Sequence, residues 1–412
     1  MLNLRVIESS AFIAAPLAGL TLAQFGADVI RVEMIGGGID YGRLPLAPSG
    51  RSLYWTGLNK AKRSIAIDLR RPEGRELVRN LATASGDDAG ILLTNIPSPW
   101  LTHAELARAR QDVISCTIEG NPDGSTAVDY TVNCATGYPA TTGNGSLDSP
   151  INQVLPAWDI ACAYQAALAI VAAVDRRRRA GQGAELRVAL SDVAFSMLSH
   201  LGVTAEAEVL GQERPAIGNH IYGAFGRDFA TADGKRVMIA AISAGQWAAL
   251  VRACTLTAEV RTLEARMGMS FDRESDRYAA REAIVRIIEP WVRARSLEAV
   301  AAAFDAGRVC WGQYRTPTDL IANDPRVGDK NPIWQRIETA GVGSHFAAGG
   351  AVRAQGEAWR PMKSAPLIGQ HTDEVLLEVL GLGSGEVARL HDAGLVAGPE
   401  KDPTVRRTGG RA

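Results

Sequence analysis

The opening stretch "LRVIESSAFIAAPLAGLTLAQFGADVIRVE" constrains the fold more than any other part of this chain. A β-type run over residues 4–8 is followed by helical spacing over 16–25 and a second β-type run over 28–33. Two apolar strands joined through a helix form a βαβ unit, and that unit requires a parallel sheet. Further β-type runs follow at "SIAIDL" (64–69), "GILLTN" (90–95) and "VISCTI" (113–118), with a helical pattern over 72–82 between the first two. The first half of the chain therefore reads as an α/β domain.

Beyond it, "VLPAWDIACAYQAALAIVAAVDRRRRAG" (154–181) reads as a long buried helix, with a solvated cationic last turn at Arg176 to Arg179 and a stop at Gly181. "AELRVALSD" gives a strand and "VAFSMLSHLGVTAEAEVL" one helix. The composition changes at the Gly-rich "GQERPAIGNHIYGAFGRDF", which marks the entry to a smaller domain. That domain carries a hairpin turn at "TADGK", the strand "RVMIAAI" and amphipathic helices between residues 246 and 307. A polar connection over 316–332 leads out of it, and "EVLLEVLGLGSGEVARLHDAGLV" supplies two short helices. The expected division is a large domain over 1–210, a small domain over 211–330, a return to the large domain over 331–398 and a disordered tail over 399–412.

Lys plus Arg total 44 against 45 for Asp plus Glu, so no charge excess points to nucleic acid or an anionic membrane. The five cysteines have neither metal-ligand spacing nor a nearby His set, and read as reduced, buried thiols of a cytoplasmic protein. The apolar stretch 11–27 follows Glu8, lacks a basic leader and is broken by Pro16 and Gln24, which argues against a signal peptide or a membrane span.

Two places carry candidate chemistry. Asp159 is a lone carboxylate between Trp158 and Ile160 at the start of the long helix, where it reads as the N-cap. The same position lets the helix macrodipole hold it ionised, the state a nucleophile needs. Lys60, Lys62 and Arg63 cluster in "LNKAKRSIAIDL" just before a strand, which suits either a solvated turn or a phosphate site. Glu33 at the end of the second strand invites a dinucleotide reading, but the preceding turn lacks the G-x-G-x-x-G that lets backbone approach a pyrophosphate. His371 precedes a helix that Thr372 would cap, and reads as structural.

Five stretches together, "AGLTLAQFGADVIRVE", "LNKAKRSIAIDLRRPEGRELVRNL", "LPAWDIACAYQAALAIVAAV", "TADGKRVMIAAI" and "IGQHTDEVLLEVLGL", resemble the family III CoA-transferases, in that family's order and over nearly the whole chain. The resemblance implies a Rossmann-like large domain with an inserted smaller α+β domain, in a homodimer whose subunits interlock. It makes Asp159 the catalytic aspartate and carries the CoA-binding positions to Asn59, Lys62, Arg63 and Asn95, with no metal site and no tightly bound cofactor. CoA enters as part of a small acyl-CoA substrate, with neither nucleic acid nor membrane as partner. "VDYTVN", "VLPAWDI" and "YGAFGRDF" resemble the versions found in an intramolecular member that moves CoA between the two carboxyl groups of mesaconate. An intermolecular CoA-transferase, an acyl-CoA racemase and a non-catalytic CoA-binding protein are the alternatives. Racemases of the family place a His where this chain has Val128, ahead of Asp129. Many relatives have a CoA-contacting Arg where this chain has Met34, and the loop holding Gly223 and Gly226 stands in place of a glycine run.

Overall fold

The computed structural model describes residues 2–352, 355–356 and 361–405. The chain forms two compact units, one built from residues 1–136, 153–211 and 325 onward, the other from 137–152 and 212–324.

The first unit begins β1 (Arg5–Ser9), α1 (Ala14–Gln24), β2 (Asp28–Met34), α2 (Leu53–Leu58), β3 (Arg63–Ile67), α3 (Pro72–Ala82), β4 (Ile91–Thr94), α4 (His103–Ala109), β5 (Ile114–Glu119) and α5 (Asp129–Cys134). After the short α6 (Tyr138–Thr141) of the second unit come α7 (Ala157–Ala180), β6 (Ala184–Ala189), α8 (Leu190–His200) and α9 (Val203–Leu210). The strands lie in the order β3-β2-β1-β4-β5-β6, all parallel. This is the doubly wound Rossmann order, and its direction of winding reverses between β1 and β4. In β1 to β4 the runs of Val, Ile and Leu that make the strands legible are buried on both faces, as a covered parallel sheet demands, whereas β6 at the edge alternates half-buried and exposed residues.

In the second unit, β7 (Phe225–Ala230), β8 (Arg236–Ala241) and β9 (Cys310–Gln313) form an antiparallel sheet. Against it pack α10 (Ala244–Ala253), α11 (Thr257–Met267), α12 (Glu274–Ala279), α13 (Arg281–Arg293) and α14 (Leu297–Gly307), around Phe225, Trp247, Phe271, Ile284 and Phe304. α15 (Pro317–Asn323) follows. A Cβ at Gly226 would lie 2.2 Å from the Ile221 side chain, so this glycine serves packing within the unit. The chain then returns to the first unit with the hairpin β10 (Trp334–Thr339) and β11 (Gly343–Ala348), then α16 (Thr372–Leu380), α17 (Ser384–Asp392) and β12 (Val396–Ala397). β12 adds antiparallel to the edge of β3.

Several expectations change. Residues 137–152 group with the second unit and 325–330 with the first. The helix read over 193–210 is two, because Gly202 adopts φ +74° and ends the first. The hairpin β10–β11 carries too little periodicity to be seen in the sequence. The tail is ordered through residue 405: Asp402 is buried and accepts from the Tyr41 hydroxyl at 2.6 Å and the Ile368 amide at 2.8 Å. The rest of it, 406–412, lies outside the described residues. Arg177, read as part of a solvated helix end, is buried and donates to the carbonyls of Asp87, Gly90 and Asp112. Of the cysteines, Cys134 and Cys310 are exposed. α7 is long and apolar enough by length and composition to cross a membrane, yet it buries Cys162, Ala163, Ala166 and Ile170 within the protein.

Candidate active site

In open α/β sheets, ligands bind beyond the carboxyl ends of the strands where the winding reverses. Here Asn95, just after β4, spans that point. Its Oδ1 accepts from the Ala11 amide at 2.9 Å and its Nδ2 donates to the Ala11 carbonyl at 2.7 Å. The loop so held, after β1, puts Phe12 at φ +63°. A bulky residue in the left-handed region is strained, and such strain persists only where surrounding contacts impose it. Asp40 is one such contact, accepting from the Phe12 amide at 3.0 Å.

Asp159 stands in the first turn of α7, half-buried. The N-cap, however, is Pro156, and Asp159 does not cap its own helix. That task falls to Asp129, the first residue of α5, whose Oδ2 accepts from the amides of Trp158 at 2.8 Å and Asp159 at 3.0 Å. The Trp158 indole donates to Asn133 Oδ1 at 3.0 Å, so α5 holds the start of α7 at two points. The second Asp129 oxygen is buried without a partner. Burial, then the like charge of Asp129, push the Asp159 carboxyl up to about 7, while Arg43 opposes them. The helix N-terminus alone thus does not hold Asp159 strongly ionised; it sits near neutrality, where small changes in its surroundings switch its charge.

Arg43, in the loop after β2, acts on this carboxylate through its charge. Its guanidinium lies 5.4 Å from the Phe12 ring centroid and 4.9 Å from that of Tyr54, on α2. The Tyr54 hydroxyl is buried without a hydrogen-bond partner. Burial, countered by Arg43 and reinforced by Asp159 and Asp40, pushes it up to about 12, so it stays protonated and able to donate.

The four residues expected to bind CoA all make contacts within the protein. Lys62 is buried, and its ammonium donates to Glu8 Oε1 (2.8 Å), the Pro16 carbonyl (2.8 Å) and Asn59 Oδ1 (2.9 Å). An ammonium has three protons, so none remains for a phosphate. Asn59 is equally enclosed, accepting from Lys62 and from Arg31 (3.1 Å) while donating to the Trp55 carbonyl (2.9 Å). Arg63 donates to Asp28, Glu374 and Glu378, three carboxylates that a phosphate would have to displace. Asn95 bonds the Ala11 backbone as described. Arg63 is thus half-buried and paired with carboxylates on the surface, while Lys62 and Asn59 belong to the buried interior. Glu33 belongs to the same network, taking the Arg31 guanidinium and the Trp55 indole, which accounts for the carboxylate at the end of β2 without a ribose. His371 accepts the Ser64 amide on Nδ1, a structural contact. Among the described residues, no cluster of three His, Cys, Asp or Glu side chains is arranged to hold a metal ion.

Sequence reasoning missed Asp129 as the capping group, and Phe12, Arg43 and Tyr54 altogether. Arg43 sits in "GGGIDYGRL", where no periodicity or motif distinguishes one arginine from a solvated one.

The Rossmann-ordered parallel sheet agrees with the sequence resemblance. The chain belongs to CoA-transferase family III, whose family model matches residues 1–372. It is 48% identical over 401 residues to 2-methylfumaryl-CoA isomerase of Chloroflexus aurantiacus, covering 97% of this chain and 98% of that one. It is 26% identical to the succinyl-CoA:mesaconate CoA-transferase of Haloarcula hispanica, over 93% of this chain and 97% of the relative. Among solved structures, a CAIB/BAIF family protein from Brucella suis shares the fold, with a TM-score of 0.75 and 23% identity over 92% of this chain and 98% of that one.

Proposed function

We propose that this protein moves CoA between the two carboxyl groups of one unsaturated C5 dicarboxylate, converting 2-methylfumaryl-CoA to 3-methylfumaryl-CoA in the cytoplasm. The observation that carries this reading is the 48% identity, over almost the whole of both chains, to an isomerase of that name. Asp159, whose carboxylate has no hydrogen-bonded side-chain partner among the described residues, is the nucleophile of the proposal.

In the proposed course, the ionised Asp159 attacks the thioester carbonyl; the C–S bond breaks, leaving a mixed anhydride and CoA thiolate. The thiolate attacks the aspartyl carbonyl, which breaks that C–O bond, frees the dicarboxylate and leaves an aspartyl-CoA thioester. The other carboxylate of the dicarboxylate then attacks this thioester, expelling thiolate and forming a second anhydride. Thiolate attack on the substrate carbonyl of that anhydride gives the isomeric thioester and regenerates Asp159. Each step conserves charge without a redox or metal group, so CoA as part of the substrate is the only cofactor the scheme requires. A freed dicarboxylate that stays beside the thioester reacts at high effective concentration, which favours the intramolecular course. A racemase needs an acid and a base on opposite faces of the α-carbon, and Val128, at the N-cap of α5, has no proton to give.

The test uses 2-methylfumaryl-CoA with excess isotopically labelled free mesaconate. The expected result is complete isomerisation with little label in the CoA esters, and loss of turnover in Asp159→Ala. Label entering as fast as isomer forms would assign an intermolecular transferase, and full activity of Asp159→Ala would remove the nucleophile.

A further inference from the structure

The site contains a cation that the scheme above does not use. Arg43 is exposed and makes no ion pair or side-chain hydrogen bond with any described residue, whereas buried Arg31 is held by three carboxylates and buried Arg51 donates to three backbone carbonyls. Its position is nevertheless fixed. The rings of Phe12 and Tyr54 lie within 5.4 Å and 4.9 Å of the guanidinium carbon, and stacking of this kind fixes the plane of the group while leaving its N–H edge open. The platform is itself secured from below. Arg31 holds Asp40 at 3.3 Å, Asp40 holds the Phe12 amide, and Phe12 keeps a strained backbone as a result. Strain imposed by a buried ion pair in order to aim one aromatic ring has no evident value to stability.

The Tyr54 hydroxyl is a second unsatisfied group on the same platform. A buried hydroxyl without a partner is unfavourable unless something supplies one. A forked guanidinium edge beside a lone hydroxyl donor is a receptor for a carboxylate, which accepts two parallel N–H bonds and has lone pairs to spare. The Arg43 charge also favours the ionised form of Asp159, the proposed nucleophile, yet the two form no ion pair.

We propose that Arg43, with Tyr54, binds the free carboxylate of a dicarboxylyl-CoA substrate, and that this contact makes the enzyme specific for acyl groups with a second carboxyl. The contact rests on the proposed isomerase reading and adds to it. When the dicarboxylate is released from its first anhydride, the carboxylate next in line to react is the one Arg43 already holds. The guanidinium therefore retains the acid and presents it again.

The experiment compares wild type, Arg43→Met, Arg43→Lys and Tyr54→Phe on two thioesters, 2-methylfumaryl-CoA and the monocarboxylyl crotonyl-CoA. Isomer formation is followed for the first, and hydroxylamine capture of acyl-Asp159 for both. Measured at a pH high enough for Asp159 to be ionised in both proteins, the expected result for Arg43→Met is a loss of about a hundredfold or more in kcat/KM for 2-methylfumaryl-CoA, against a loss of less than about threefold in capture from crotonyl-CoA. Arg43→Lys recovers part of the loss, because an ammonium keeps the charge but not the fork. Tyr54→Phe lowers kcat/KM for the dicarboxylyl ester alone. The acid limb of the pH profile moves to higher pH in Arg43→Met, since a positive neighbour of Asp159 is gone. Equal losses on both thioesters, or no loss on either, overturn the inference while leaving the isomerase reading intact. A wild type that captures 2-methylfumaryl-CoA on Asp159 with Arg43 dependence but forms no isomer overturns that reading and supports the inference.

Discussion

In the proposed reaction Asp159 must be ionised to attack, and burial and Asp129 oppose that ionisation. With its carboxyl pushed up to about 7, the ionised fraction and hence kcat/KM fall as pH drops through that region. Asp129 is the partner that can be altered without removing the helix cap, because an asparagine in its place would keep an oxygen to accept the Trp158 and Asp159 amides. Asp129→Asn removes the like charge, so Asp159 ionises more readily and the acid limb moves to lower pH. The pH dependence of kcat/KM in the two proteins measures this; ionisations of the substrate are common to both and cancel. A limb that stays in place or moves upward would show that Asp129 does not set the nucleophile's charge.

At the scale of elements, α1 and the strands β1 to β3 enclose Glu8, Arg31, Glu33, Asp40, Asn59 and Lys62 in one polar cluster. α1 can lie this close only because residue 19 is glycine: a Cβ there would stand 1.7 Å from Glu8 Oε2. Burial lowers Lys62 to about 8 despite Glu8, so the ammonium is retained at neutral pH by its three acceptors. Removing one member of a buried ion pair leaves the other uncompensated, which is unfavourable by about 3–5 kcal/mol. Lys62→Ala should therefore lower the free energy of urea unfolding by that amount, with little change in KM for the CoA ester in whatever fraction remains folded. Unchanged stability with a KM raised tenfold would restore the phosphate role that its sequence context indicated.

For the whole molecule, the surface of a single chain is incompletely covered. α9 buries none of its residues, and Leu168, Leu201 and Val209 are 70%, 66% and 79% exposed. Apolar side chains so exposed on α7, after α8 and on α9 are candidates for burial against a second copy of the chain. Together with the family membership, they lead us to expect a homodimer, and light scattering at micromolar concentration should give twice the 43.8 kDa of the chain. A mass of one chain would contradict it. The sequence by itself determined the βαβ opening, the parallel strands and the long helix that starts near Asp159, because burial on both faces of a covered sheet leaves apolar runs that period and length can identify. It also placed the candidate nucleophile, through motifs spread over the chain rather than through any local property of one aspartate. Only the tertiary structure decided which charges face inward. Lys62 reads as one of three clustered cations and nothing in the sequence singles out Arg43; one is enclosed by Glu8, Pro16 and Asn59, the other lies exposed between Phe12 and Tyr54. Nor could spacing show that Asp129, 30 residues away, would cap the helix of Asp159 and raise its proton affinity. Such pairings depend on contacts between segments distant in sequence, and a loop residue's neighbours are fixed only once the strands on either side have taken their order.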